Sequence, residues 1–181
     1  MKNIFIGGVA KSGKSRLAVK LCENSKYNHI PLDYFASSFR RKLPEVGITS
    51  NIDIQEESSK KYALFLSRFI EIAESNENEF FILDSAHIFP KDIINYLDPN
   101  KWEVYYLGYS NITPEDKLKE LRNNLSGGWV ADKTDEEMLE LLSKMVPLSQ
   151  EIAKQCEECN ILYLDTSEKD ILEIFDFNRE V

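Results

Sequence analysis

The sequence predicts an α/β layered fold built on a mostly parallel sheet. Three observations carry that expectation. Short apolar runs alternate with helical patterns along the 181 residues. Five of the runs have strand length, near residues 2–7, 28–33, 79–84, 103–108 and 160–165. Between them lie segments whose apolar residues recur every three or four positions, as α/β layers require.

The first run, Asn3 to Ile6, reads as a buried strand, and Leu17, Ala18, Leu21 and Cys22 follow it at helical spacing. Between them, Gly8-Val9-Ala10-Lys11-Ser12-Gly13-Lys14-Ser15 spells G-x-x-x-x-G-K-S in full. Strand, glycine-rich turn and helix is the context in which this pattern holds a phosphate. Glycines let the backbone curl and turn successive N–H groups inward, and the helix adds its positive N-terminal end. The residues expected to hold the phosphates are Gly8, Ala10, Lys11, Ser12, Gly13, Lys14, Ser15 and Arg16. Lys14 is expected to reach the β/γ-phosphates and the Ser15 hydroxyl to ligate Mg²⁺.

The second run, in "NHIPLDYFASSFRRKL", closes on Asp33 and opens a helical stretch. Ligands of open α/β sheets sit outside the carboxyl ends of the strands, so Asp33 should face the phosphate loop. There it reads either as a proton acceptor for a hydroxyl or as the cap of its own helix. Arg40 and Arg41 lie two turns on and read as mouth residues or as solvated charge. The helix expected over 55–75 carries Tyr62, Phe65, Leu66, Phe69, Ile72 and Ala73 on one face.

The third run, in "EFFILDSAHIFP", ends at Asp84, placed to organise Mg²⁺ or to cap the next turn. Many ATP hydrolases put a glutamate next; Ser85 stands there and argues against a dedicated ATPase. Asn100-Lys101-Trp102-Glu103 misses the guanine-reading N-K-x-D, so ATP is preferred to GTP. The helix expected from about 135 carries Met138, Leu141, Leu142 and Met145, and Pro147 should break or kink it before Cys156.

Segments 44–54 and 124–134 read as loops flanking a site, with Trp129 either covering substrate or docked on the core. His29 and His87 have no partner at metal-ligand spacing. Cys156 and Cys159 form a lone C-x-x-C, short of a zinc site and wrongly placed for a redox helix, so reduced thiols are expected. The net charge of −9 argues against nucleic acid as a partner. No run reaches the length of a membrane span or a signal peptide, so a cytoplasmic protein of one domain is expected.

Together with the phosphate loop, the stretches "PLDYF", "FILDSAHIFP", "VYYLGYSNITPEDKLKELR" and "ILYLDTS" resemble the P-loop small-molecule and nucleoside-monophosphate kinases. The resemblance implies a three-layer P-loop NTPase fold, a five-stranded parallel sheet ordered 2-3-1-4-5 with helices on both faces. It implies an acceptor-binding region at about 33–75 and a lid at about 120–135. It further implies ATP and Mg²⁺ as cofactors, Asp33 as base, Arg122 at the transferring phosphoryl group, and an adenine edge held at Thr166 to Glu168. Only Lys133 supplies positive charge between Ser126 and Glu136, so the expected partner is a small, weakly charged acceptor rather than a second nucleotide. A nucleotide-binding regulator and a simple NTP hydrolase remain open alternatives to a kinase.

Overall fold

The computed structural model describes residues 1–23, 25–124 and 128–177. Its centre is strand β1 (Asn3–Gly8), buried along its whole length. Helix α1 (Lys14–Cys22) and strand β2 (Tyr27–Pro31) follow, then α2 (Asp33–Lys42) and the long α3 (Glu56–Ser75). Strand β3 (Phe80–Ser85) leads through the one-turn α4 (Pro90–Ile93) to β4 (Trp102–Gly108) and α5 (Pro114–Asn123). The chain closes with α6 (Asp135–Glu158), β5 (Leu162–Asp165) and the short α7 (Ile171–Ile174).

The five strands are parallel and ordered β2-β3-β1-β4-β5, the order the resemblance implied. Residues of β1 alternate between two cores, as strands buried on both faces must. Ile4 and Ile6 pack with Leu17 and Ala18 of α1 and Ile171 beside β3 and β4. Phe5 faces the other way, into a cluster with Tyr62 and Leu66 of α3 and Met138, Leu142 and Met145 of α6.

Three expectations are corrected. Strand β2 ends at Pro31 rather than 33, because proline closes the ladder and Leu32 already caps α2. On α3 the buried stripe runs through Ser59, Tyr62, Ala63, Leu66, Ile70 and Ala73, whereas Phe65 and Ile72 are about half exposed. The rotation of the helix places Ser59 inward, where it bonds Asp92 and the Phe89 backbone beneath it. Finally, α6 runs unbroken through Pro147. The residue lacks one helix bond, a loss of about 3 kcal/mol in an isolated helix. Here, burial of Met145, Val146, Ser149 and Ile152 on either side offsets it. A capping box starts α6: Thr134 accepts the Glu137 N–H at 3.3 Å, and the Glu137 carboxylate accepts the Thr134 N–H at 2.9 Å.

The end of β1 tolerates no side chain. Gly8 has φ +128°, and a Cβ there would lie 1.9 Å from the Leu107 carbonyl oxygen of β4. The obstacle is backbone and cannot swing away. Gly8→Ala is therefore expected to destabilise the fold by about 2–4 kcal/mol, read as a lower urea midpoint. An unchanged midpoint would mean that the strands separate here more readily than their packing implies.

Candidate active site

Beyond Gly8 the chain turns tightly and enters α1 at Lys14. The turn uses positive φ at Gly8 (128°), Lys11 (63°) and Gly13 (93°). A lysine in this region costs roughly 1–2 kcal/mol relative to glycine, so the surrounding structure must hold it. The loop is tied down from inside. Lys14 Nζ donates to the Val9 carbonyl at 2.7 Å and Ser12 Oγ donates to the same oxygen at 2.9 Å. Tyr109, just past β4, donates its hydroxyl to the Ala10 carbonyl at 2.9 Å. The N-terminus of α1 has no side-chain cap and no acid in its first turn, which leaves its N–H groups and its positive end to an anion.

Lys14 is only 5% exposed. Burial pushes its ammonium below the ordinary lysine range, while the charges of Asp33 and Asp84 oppose the shift. Both acids therefore act on the loop lysine, although one opens α2 and the other lies on β3.

Asp84 lies beside Ile6 of β1 and is 2% exposed. Its Oδ2 lies 2.9 Å from Nε2 of His29. A carboxylate only accepts, so the His29 Nε2 carries the hydrogen. No spacing along the chain points to this pair, which forms because β2 sets His29 opposite Ile82, two residues before Asp84 on the same face.

Asp33 opens α2 but does not cap it. Its Oδ1 accepts the Ala86 N–H from the segment after β3, at 2.9 Å. The carboxylate is thus committed across the sheet edge and not to its own helix. His87 Nε2 lies 3.7 Å from the same oxygen.

Residues 10–16 of the loop and Asp33 line one cleft of about 1010 Å³, closed on the far side by residues 166–171. Gly8 shapes the turn without lining the cleft, and Ser15 and Arg16 are exposed at its rim. Asn51 from the 44–54 loop also contributes, as do Lys117, Glu120 and Trp129. Trp129 packs against the main core, and it also lines the cleft with its ring 5.5 Å from Lys11 Nζ. Residues 125–127 of the expected lid lie outside the described residues.

Arg122 is not among the residues that line the cleft. It donates to the Val130 carbonyl at 2.9 Å and the Lys133 carbonyl at 2.7 Å, and pairs with Asp135. Those bonds fasten the segment between α5 and α6. The cation that α5 turns toward the cleft is Lys117, 1% exposed, with Nζ 2.8 Å from Glu120 and 4.3 Å from the centre of the Tyr109 ring. Burial lowers its pKa and Glu120 counters the shift.

Among the described residues no group of three or more His, Cys, Asp or Glu side chains could hold a metal by itself. Ser15 lines the cleft, whereas Asp84 is buried beside His29 and is not among the lining residues; both carry hard oxygen donors of the kind Mg²⁺ takes. The thiols stand apart from the site: burial pushes Cys156 up to about 12, far from a reactive thiolate. Among the described residues no helix is long and apolar enough to cross a membrane.

No family model matches the chain, and no curated protein matches it by sequence. Solved structures do match. A shikimate kinase from Bacteroides thetaiotaomicron superposes with a TM-score of 0.53 at 14% identity, over 92% of this chain and 88% of that one. An uncharacterized protein from Eubacterium ventriosum superposes with a TM-score of 0.54 at 13% identity, over 96% and 92%. At such identities the fold is what is shared: this chain has the five-stranded parallel sheet and flanking helices of the P-loop kinases.

Proposed function

We propose that the protein is an ATP- and Mg²⁺-dependent kinase that transfers the γ-phosphoryl group to a hydroxyl of a small molecule in the cytoplasm. The observation that carries this reading is the meeting of Asp33 and Lys14 in one cleft, with Asp33 tethered from behind by the Ala86 N–H. A hydrolase needs only the phosphate half of such a site. A carboxylate held across from the loop adds what transfer to a hydroxyl requires.

In this reading Lys14 exchanges the Val9 carbonyl for phosphate oxygens, and the N–H groups of the loop and of α1 hold the anion. Ser15 ligates Mg²⁺ and Asp84 steadies it, oriented by His29; the ion supplies charge neutralisation on the phosphates. The segment from Thr166 to Glu168 takes the adenine edge. The acceptor enters between α2 and the 44–54 loop, within 33–75, and Asp33 removes its hydroxyl proton. The segment 120–135 acts as the lid. Arg122 serves there as its fastening, because every donor it uses is already spent on lid residues, and Lys117 is the α5 cation that meets the nucleotide.

The test is to incubate the protein with γ-labelled ATP, Mg²⁺ and a small-molecule extract, then separate the products. Label on an organic molecule is the expected result. Label found only as free phosphate, or never leaving ATP, would overturn the reading in favour of a hydrolase or a nucleotide-reading regulator.

A further inference from the structure

One buried titratable group has no part in the chemistry above. His87 is 4% exposed and does not itself line the cleft, yet its ring lies against Asp33, which does. Two contacts hold it. Its backbone N–H donates to Ser85 Oγ at 3.1 Å. Its ring meets Tyr62 of α3 edge-on, 6.1 Å between centroids at 85°. The Tyr62 hydroxyl in turn donates to the carbonyl of Leu32, the residue before Asp33. The imidazole and the backbone just before Asp33 are thus linked through the tyrosine.

The two protein groups that approach the Asp33 carboxylate do so at one oxygen. Oδ1 accepts the Ala86 N–H at 2.9 Å and faces His87 Nε2 at 3.7 Å. Among the described residues no hydrogen bond falls on Oδ2. One oxygen is thus anchored while the other is left to a ligand in the cleft that Asp33 lines. A separation of 3.7 Å is long for a hydrogen bond, but catalytic contacts commonly tighten once substrate is bound.

We propose that His87 is the positioning residue of Asp33: its Nε2 and the Ala86 N–H together hold Oδ1 so that Oδ2 meets the acceptor hydroxyl, and protonation of the imidazole converts the pair from a proton acceptor into an ion pair. The inference rests on the kinase reading for its catalytic meaning. In the transfer step the acceptor O–H bond breaks and its proton goes to Asp33 Oδ2. The acceptor oxygen bonds to the γ-phosphorus, and the bridging P–O bond breaks with its electrons leaving on ADP. Neutral His87 lets the carboxylate take that proton; the imidazolium beside it lowers the carboxylate's affinity for the proton.

The charges facing the ring set the direction of its titration. Burial pushes His87 below the ordinary histidine range, and Arg40 of α2 and Lys14 of α1 push the same way. Asp33 and a hydrogen bond with the Thr49 backbone oppose them, and Tyr62 contributes a neutral ring. On balance these effects hold His87 below the ordinary histidine range, and acidification charges it. Transfer should have an acid limb that lies below the usual imidazole range, falling as pH falls.

The experiment uses the fact that the chain has two histidines. Imidazole titrations are followed by NMR in the full chain, with His87→Gln assigning the signals. Asp33→Asn is expected to move the His87 titration to lower pH, since a charge that favours the imidazolium is removed, and to leave His29 where it was. In parallel, kcat is measured against pH for wild type, His87→Gln and His87→Leu, with whichever acceptor the labelling identifies. Gln keeps an N–H donor and cannot titrate, so it should keep most of kcat and lose the imidazole's share of the acid limb, leaving only the fall set by protonation of Asp33 itself. Leu keeps bulk without the donor, and should lower kcat about 10²-fold, the scale of a small misplacement, with KM for ATP unmoved. A His87 titration indifferent to Asp33→Asn, or an acid limb that lies at the same pH in His87→Gln as in wild type, would overturn the proposal. If no acceptor is ever labelled, the kinase reading falls alone, because the NMR measurement decides the Asp33–His87 pair without it.

Discussion

Lys14→Met should lower phosphoryl transfer by about 10²–10³-fold, the usual loss when one preorganised electrostatic group is removed. The variant should still fold. Met nearly matches the aliphatic stem, and the Val9 carbonyl that Lys14 occupies keeps its bond from Ser12 Oγ. What disappears is the charge facing the phosphates, in a site where burial makes it strongly felt. Binding offers a second readout. Saturating ATP at about 100 Kd stabilises a protein by about 2.7 kcal/mol, visible as a rise in Tm. Wild type should show that rise and Lys14→Met should lose most of it. Equal protection and equal turnover in both proteins would remove the phosphate loop from the reaction altogether.

Asp33→Asn should separate binding from chemistry. The substituted amide keeps an oxygen for the Ala86 N–H, so the anchor at 2.9 Å survives. Its loss is confined to the ability to take a proton, which a positioned base contributes at about 10²–10⁴-fold. We expect that fall in acceptor phosphorylation with ATP protection intact. A regulator that only reads nucleotide would be indifferent to this change, and a hydrolase would release phosphate at its former rate. Either result would sink the assignment of Asp33 as the proton acceptor.

How much of this was legible in the chain follows from sequence distance. The phosphate loop was readable because strand, turn and helix are contiguous, and each residue's task is local. Asp33 and Asp84 were readable as strand ends, since parallel strands bring their carboxyl ends to one rim. Their partners were not. His29 meets Asp84 across 55 positions, and His87 meets Asp33 only because β2 and β3 are neighbours. Pairing of strands, not pattern within them, created both contacts.

On α5 the choice between Lys117 and Arg122 depended on rotation about the helix axis. Five residues separate them, about 140° of turn, and Leu118 and Leu121 fix which side is inward by burying themselves. The resemblance pointed to Arg122, whereas packing places Lys117 in the cleft lining. The same arbitration misdirected the reading of α3, where Phe65 and Ile72 had seemed core residues. Aromatic and aliphatic identity marks what can be buried, while the neighbours decide what is.

The central place of β1 also bears on the order in which the molecule assembles. The phosphate loop is complete by residue 15, but β1 finds its first partner at Phe80–Ser85 and its second at Trp102–Gly108. The far wall arrives last, with Arg16 paired to Asp170 across 154 positions. Such long-range pairings are slow to form, since a long stretch of chain must be ordered before they contribute. As the chain is synthesised, its most recognisable segment emerges early and has nothing to act with. Nucleotide should therefore fail to speed refolding of the denatured protein, yet slow its unfolding, because the site exists only once the last strand has docked.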